Sequence, residues 1–402
     1  MRLAMISEHA SPLAALGGTD AGGQNAHVAE LSAALSAQGH EVRVYTRRDS
    51  LDQPTVVPTG GYDVVHVPAG PPVSLPKDEL LPYMGAFADW MAAEWRTGWL
   101  PEVAHAHFWM SGLATVTAGR ACDVPVVQTF HALGSVKRRY QGAADTSPAH
   151  RIAYERVLGR TVDRVIVQCQ DEIRELVQLG VPRRRMALVP SGVNTERFRP
   201  DGPAEPRSQR PRILSVGRLV ERKGFEDLIC AMVGVPGAEC VIVGGQRGDD
   251  PYARKLRRLA QRCRVGDRVR LVGAVAAGDM PRWYRSADVL AAAPWYEPFG
   301  LTPLEAMACG VPVVATAVGG LTDTVVDGIT GDLVPPREPR ALGVALRRLI
   351  TDDVRRFSYA AAALDRAGHS YSWRRVATQL SAVYAAVAGL TLAGDPTREA
   401  VA

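Results

Sequence analysis

Residues 288–316 read DVLAAAPWYEPFGLTPLEAMACGVPVVAT, and three patterns follow one another in them. Asp288–Ala292 is an apolar run of strand length. Pro294, Pro298 and Gly300 then interrupt any regular element. Pro303–Cys309 is apolar and helix-forming, with Pro303 placed where the first helical residue has no hydrogen bond to lose. Val311–Thr316 is a second short apolar run behind Gly310. Strand, helix, strand is a βαβ unit. Strands that are apolar at nearly every position belong to parallel sheets covered on both faces.

The same alternation extends in both directions. Upstream, the predicted strands are Leu3–Ser7, Glu41–Tyr45, Val64–Val67, Val103–Ala106, Val124–Thr129, Arg164–Val167 and Ala187–Val189, then Arg212–Val216, Glu239–Val243 and Arg268–Val272. Helices are predicted over Asn25–Gln38, closed by Gly39, over Pro251–Arg264, and over Trp373–Val387 near the C-terminus. Residues 199–212 are rich in Pro, Arg and Gly without apolar periodicity, which marks a linker. A chain of 402 residues exceeds one ordinary core. The expected organisation is α/β throughout: a first Rossmann-like domain over 1–200, a second over 201–372, a C-terminal helix over 373–390 and a flexible tail over 391–402.

Composition narrows the function classes. Hydrophobic residues make up 47% and charged residues 22%, a globular balance. The net charge of +5 suits an anionic small substrate without demanding nucleic acid. The runs at Arg183–Arg185 and Arg254–Arg258 read as solvated faces, with a polyanion patch as the alternative. The six cysteines form no Cys-X-X-Cys pair and most sit in apolar segments, which fits a reduced, cytoplasmic protein. No stretch approaches the ~20 apolar residues of a membrane span. Weak peripheral association stays open, as does the choice between monomer and homodimer.

Four segments carry candidate chemistry. The loop from Gly17 to Asn25 holds Asp20, Gly22 and Gly23 and leads into a helix. Glycines allow backbone N–H groups close to a ligand, and a helix N-terminus favours an anion. The order of its glycines fits neither the P-loop nor the dinucleotide fingerprint. Arg218 and Lys223 follow a strand end, where two fixed cations can hold a diphosphate leaving group. No Asp-X-Asp occurs in the chain, so these cations, not a metal or other cofactor, are expected to neutralise the leaving group. In the opening stretch, Glu297 lies in a Pro- and Gly-flanked loop, placed to accept hydrogen bonds from sugar hydroxyls. The amides of Phe299, Gly300, Leu301 and Thr302 can meet sugar or phosphate oxygens. Thr302 to Glu305 has the form of a capping box, so Glu305 reads either as a cap or as a ligand group. His131 stands at a strand's carboxyl end and reads as structural or catalytic with equal force.

Glu297 through Glu305 resembles the Glu-X7-Glu motif of the family 4 retaining glycosyltransferases, which have the GT-B fold: two Rossmann-like domains facing across a cleft, with a C-terminal helix crossing back to the first. Ser7 to Leu13, Asp20 to Asn25 and His105 to Gly112 resemble the inositol-phosphate N-acetylglucosaminyltransferases of mycothiol synthesis. Thr129 to Arg139 is similar to the matching loop of sucrose and sucrose-phosphate synthases. The resemblance implies transfer of a hexosyl group from a nucleoside-diphosphate sugar, UDP-linked by preference, to a small cyclitol, sugar or phosphosugar. It implies that Arg218 and Lys223 bind the donor diphosphate, that Glu305 holds the ribose, that Glu297 and His131 contact the sugar, and that Gly22 and Gly23 pack on the phosphate. On the acceptor side it points to Asp20, Asn25, Lys77, Phe108, Lys137 and Arg151. Phe108 and Ala132 stand where the inositol-phosphate enzymes carry Tyr and Thr, which removes two hydroxyl donors. A nucleotide-sugar 2-epimerase and a non-catalytic nucleotide-sugar binder are the alternatives on the same architecture.

Overall fold

The computed structural model describes residues 1–14, 22–245 and 250–390. The chain's first strand, β1 (Arg2–Ile6), founds an eight-stranded sheet with β2 (Glu41–Arg47), β3 (Val56–Pro58), β4 (Asp63–Val67), β5 (Val103–His107), β6 (Val126–Thr129), β7 (Arg164–Val167) and β8 (Met186–Leu188). A second sheet has β9 (Arg212–Val216), β10 (Glu239–Val243), β11 (Val269–Gly273), β12 (Val289–Ala292), β13 (Val313–Thr316) and β14 (Gly331–Val334). The orders are β3-β4-β2-β1-β5-β6-β7-β8 and β11-β10-β9-β12-β13-β14. Every pairing is parallel except β3 with β4. Helices cover both faces of each sheet, which is why strands such as β5 and β13 are buried at every residue.

Both sheets reverse their winding once. The first turns between β1 and β5, the second between β9 and β12. Loops at such a point leave in opposite directions and open a crevice at the strands' carboxyl ends. The segments after β1, β5, β9 and β12 therefore decide what the molecule binds.

Two connections tie the lobes. Val193 N donates to Tyr371 O at 2.7 Å, so the outgoing and returning chains run side by side. The helix Trp373–Val387 then leaves the second lobe and buries Trp373, Val376, Leu380 and Tyr384 in the first lobe's core against Val28, Leu31 and Leu35. Residues 391–402, read above as a tail, lie outside the described residues, as does Asp20.

Two strands escape the sequence pattern. β3 is a three-residue antiparallel edge, and β14 is a largely buried Gly-Asp-Leu-Val whose Asp332 is paired with Arg348 at 2.8 Å. Neither is a clean apolar run.

Candidate active site between the two lobes

A cleft of about 640 Å³ separates the lobes, within the usual range for a ligand site. The first lobe contributes Gly22, His27 and Glu30; the second contributes Arg218, Thr302 and Glu305. Gly23 opens a 15-residue helix whose N-terminus borders the cleft. A Cβ on Gly23 would lie 3.2 Å from Leu301 Cδ1, so the lobes touch where both glycines were expected to meet the donor.

The loops after β9 and β12 meet through Gly224. Its φ is +68°, and a Cβ there would lie 1.8 Å from Ala293 O, so only glycine lets the two loops close. Trp295 N donates to Arg222 O at 2.8 Å across the same junction. The closure brings Lys223 Nζ to 2.5 Å from Glu297 Oε2, with the two side chains 18% and 16% exposed. Burial works against an ionised Glu297, but Lys223, Arg222 and Arg218 outweigh it and hold the carboxyl below its usual range. Burial also draws the Lys223 ammonium below its ordinary value, helped by Arg222 and Arg218 and opposed by Glu297. The result is a carboxylate set among three cations, with positive charge in excess.

Glu305 is not the end of a capping box. Gly300 takes φ +93° and the helix begins at Leu301, so Thr302 lies inside its first turn and no side chain caps it. Released from the cap, Glu305 faces the cleft and accepts from Tyr284 OH at 2.6 Å. Burial pushes its carboxyl up to about 7, with Tyr284 and Arg197 opposing the shift. A ligand hydroxyl that donates to it favours its ionised form.

On the first lobe, His131 follows β6 with φ +60°, a conformation that turns its ring inward. Its Nε2 shares a hydrogen bond with His107 Nδ1 at 2.9 Å. His27, His107 and His131 each bring one ring nitrogen within 4.8 Å of the others, the one such group of possible metal ligands among the described residues. Beneath them His105 contacts Tyr384 OH at 2.6 Å and Thr129 Oγ1 at 2.8 Å. Burial holds His27 and His105 down to about 3, and His107 and His131 well below their usual value. At neutral pH the whole column is uncharged, so His131 is a hydrogen-bonding group and not an acid. His131 lines one small cavity with Tyr296 and Pro298, the neighbours of Glu297, while Glu297 lines another with Lys223.

Several of the expected acceptor residues make contacts within the first lobe. Asn25 accepts from Gly22 N at 3.0 Å and donates to Ser11 O at 2.9 Å, so its amide fixes the loop that enters the helix. Phe108 is buried at φ +84°, with the Arg151 guanidinium 4.9 Å from its ring. Arg151 is 2% exposed and paired with Glu155 at 2.8 Å. Lys137 is held by Asp145 at 3.0 Å. Lys77, half-buried, opens a 3₁₀ turn whose Asp78 meets Thr146. Arg151 is thus turned into its own lobe, and Lys137 is already partnered.

Sequence reading missed Glu30, which accepts from Asn194 Nδ2 at 3.0 Å in the cleft wall, together with Tyr284 and Arg222. Only Gly244-Gly245, directly after β10, carried a readable signal: paired glycines at a strand's carboxyl end mark a close backbone approach.

Two family models match the chain: Glycosyltransferase Family 4 over residues 21–197 and Glycosyl transferases group 1 over residues 200–365. D-inositol 3-phosphate glycosyltransferase of Xylanimonas cellulosilytica is 38% identical, with 96% of each chain covered. The protein of the same name from Kineococcus radiotolerans is 37% identical over 95% of this chain and 94% of that one. Among solved structures, sucrose-phosphate synthase from Thermosynechococcus elongatus superposes with a TM-score of 0.87 at 31% identity, covering 96% of this chain and 98% of that one. The Anabaena protein HepE in complex with UDP-glucose gives 0.73 at 20% identity, covering 96% and 100%, a likeness of fold.

Proposed function

The chain belongs to the family 4 glycosyltransferases of GT-B fold, and from that premise we propose that Arg218, Lys223 and Glu297 carry a retaining hexosyl transfer from a nucleoside-diphosphate sugar to a small hydroxyl acceptor. A UDP-sugar is the donor we would test first. Glu305 receives the ribose hydroxyls, and the diphosphate lies between Arg218, Lys223 and the helix N-terminus at Gly22 and Gly23. As the bond from the sugar's anomeric carbon to the phosphate oxygen lengthens, negative charge grows on that oxygen. Cations fixed beside it stabilise the transition state more than the bound donor, which makes them catalytic. Glu297 and His131 hold the sugar's hydroxyls from the two lobes. The acceptor hydroxyl attacks from the face the phosphate leaves, and its proton passes to the departing phosphate oxygen, so no protein base is required. In this reading the reaction needs no metal or other cofactor.

The observation that carries this reading is the Lys223–Glu297 contact beside Arg218, at the switch point of the second sheet. No helix among the described residues is long and apolar enough to cross a membrane. We propose a cytoplasmic enzyme, in keeping with six free cysteines. The test is to incubate the protein with UDP-, GDP- and ADP-sugars and a panel of cyclitols and sugars. Release of nucleoside diphosphate should depend on acceptor, and the product should keep the donor's anomeric configuration by NMR. A sugar altered in the absence of any acceptor, or no release from any donor, would count against it.

A further inference from the structure

We propose that Cys230 and Cys263 form a modification site: a dithiol that a small external disulfide closes into a cross-link within the second lobe. The two sulfurs lie 3.9 Å apart, close to van der Waals contact. Both thiols are free and half-buried. Cys230 stands in the last turn of the helix Phe225–Ala231, between β9 and β10. Cys263 directly follows the helix Pro251–Arg262, between β10 and β11. The two helices pack against each other, so helix packing joins positions 33 apart in the chain. Both helices start at the carboxyl edge of the sheet, the first behind Lys223 and Gly224, the second behind Asp250 in the cleft wall. Both end at the far edge, where the thiols meet, away from the residues given donor roles above. Among the described residues no other two cysteines make a sulfur–sulfur contact.

A groove of about 770 Å³ opens at Cys230, lined by Val233, Gly343 and Val344 together with Arg340 and Arg347. It admits a small oxidant, and its two guanidiniums suit one that carries carboxylates. One thiolate of the pair attacks the external disulfide, forms a mixed disulfide and expels one carrier thiolate. The second thiolate attacks the protein sulfur of that mixed disulfide, forms the Cys230–Cys263 bond and expels the second carrier thiolate. The two protein thiols lose two electrons and two protons, and the external disulfide leaves as two thiols. A side-chain rotation at one cysteine brings the sulfurs from 3.9 Å to the roughly 2.0 Å of the bond. Burial and the neighbouring thiol push Cys230 up to about 11. Little of it is thiolate at neutral pH, so closure is slow there and quickens as pH rises. A metal is the poorer occupant. The one group of three possible ligands among the described residues is the histidine group of the first lobe, so this pair has no third donor.

The test incubates the full chain with millimolar glutathione disulfide at pH 8, then counts thiols in denaturant and maps the digested chain by mass spectrometry. The six free thiols should fall to four. The mass should drop by two hydrogen atoms, one peptide should join positions 230 and 263, and dithiothreitol should restore all six thiols. The bond closes a loop of the chain between two helices, so Tm should rise by about 5 °C on oxidation and return on reduction. In Cys263→Ser the reaction should stop at the mixed disulfide, with one glutathione retained on Cys230 and no gain in Tm. Six thiols persisting in the native chain, a cross-link between other cysteines or between two chains, or equal Tm in the oxidised and reduced forms would overturn the proposal.

Discussion

Replacing Lys223 with Met should separate stability from catalysis at the Lys223–Glu297 pair. The ammonium sits 2.5 Å from Glu297 Oε2, and both side chains keep a little solvent contact. Removing one partner from a fully buried pair costs about 3–5 kcal/mol. Arg218 and Arg222 still act on Glu297, and the pair is partly wet, so a loss of about 2 kcal/mol in folding stability is expected. The catalytic loss should be larger. At an effective dielectric of about 20, a cation about 4 Å from the charge developing on the leaving phosphate is worth about 4 kcal/mol. Most of that appears only as the bond breaks, so kcat should fall by roughly 10²–10³ with a smaller change in KM. The assay is initial-rate measurement of nucleoside diphosphate release, with urea unfolding in parallel. Adding Glu297→Gln removes the unpaired carboxylate and should return part of the lost stability while turnover stays low. A kcat within tenfold of the wild type, or a loss confined to KM, would show that Lys223 supplies uniform binding and refute the reasoning.

Three further outcomes follow. Burial raises Glu305 to about 7, and ribose hydroxyls favour its ionised form. The Kd for UDP should therefore rise by up to about tenfold per unit as pH falls below 7. Glu305→Gln should weaken binding at pH 8 and remove that slope; unchanged affinity would make Glu305 purely structural. Burial lowers His27 and His105 to about 3 and depresses His107 and His131 as well. The unfolded chain takes up protons at these positions below pH 6.5 while the folded chain does not, so their stabilisation is complete above 6.5 and falls as pH drops toward 3. At pH 5 each of His27 and His105 should cost about 2 kcal/mol. Glu172 and Glu305, both raised to about 7, work in the opposite sense but are outnumbered. Urea midpoints equal at pH 5 and 7 would contradict this. Finally, Glu155→Ala strands the buried Arg151 guanidinium and should cost about 3–5 kcal/mol; a loss under about 1 kcal/mol would show that the pair is dispensable.

The fold was legible wherever burial on both faces made a strand apolar throughout. β7, β9 and β10 have the bounds expected from sequence, and so does the helix Trp373–Val387. Legibility failed where position in the sheet, and not hydrophobicity, makes the strand. β3 ends in Pro58 at an antiparallel edge, and β14 buries Asp332 against Arg348. It failed again at Thr302. The spacing from Thr302 to Glu305 is that of a cap, but Gly300 in the left-handed region starts the helix too early for it.

Of the site, the second lobe's charges could be read because Arg218, Lys223 and Glu297 follow strands at a switch point, where topology alone fixes their neighbourhood. Partners arriving from other elements left no local trace. Tyr284 reaches Glu305 from the helix before β12, and Glu155 takes Arg151 from the next turn of its own helix. Arg151 shows the difference between residue type and availability. The sequence shows the cation, but the carboxylate four residues on pairs with it inside its own lobe.

The central claim is that fixed cations of the second lobe receive the departing diphosphate while Glu297 grips the sugar. A crystal structure with a UDP-sugar whose fluorinated ring resists transfer addresses it most directly. The account predicts phosphate oxygens within hydrogen-bonding distance of the Arg218 guanidinium and the Lys223 ammonium, with sugar hydroxyls on Glu297. A diphosphate bound elsewhere in the cleft, with the sugar turned away from Glu297, would contradict it.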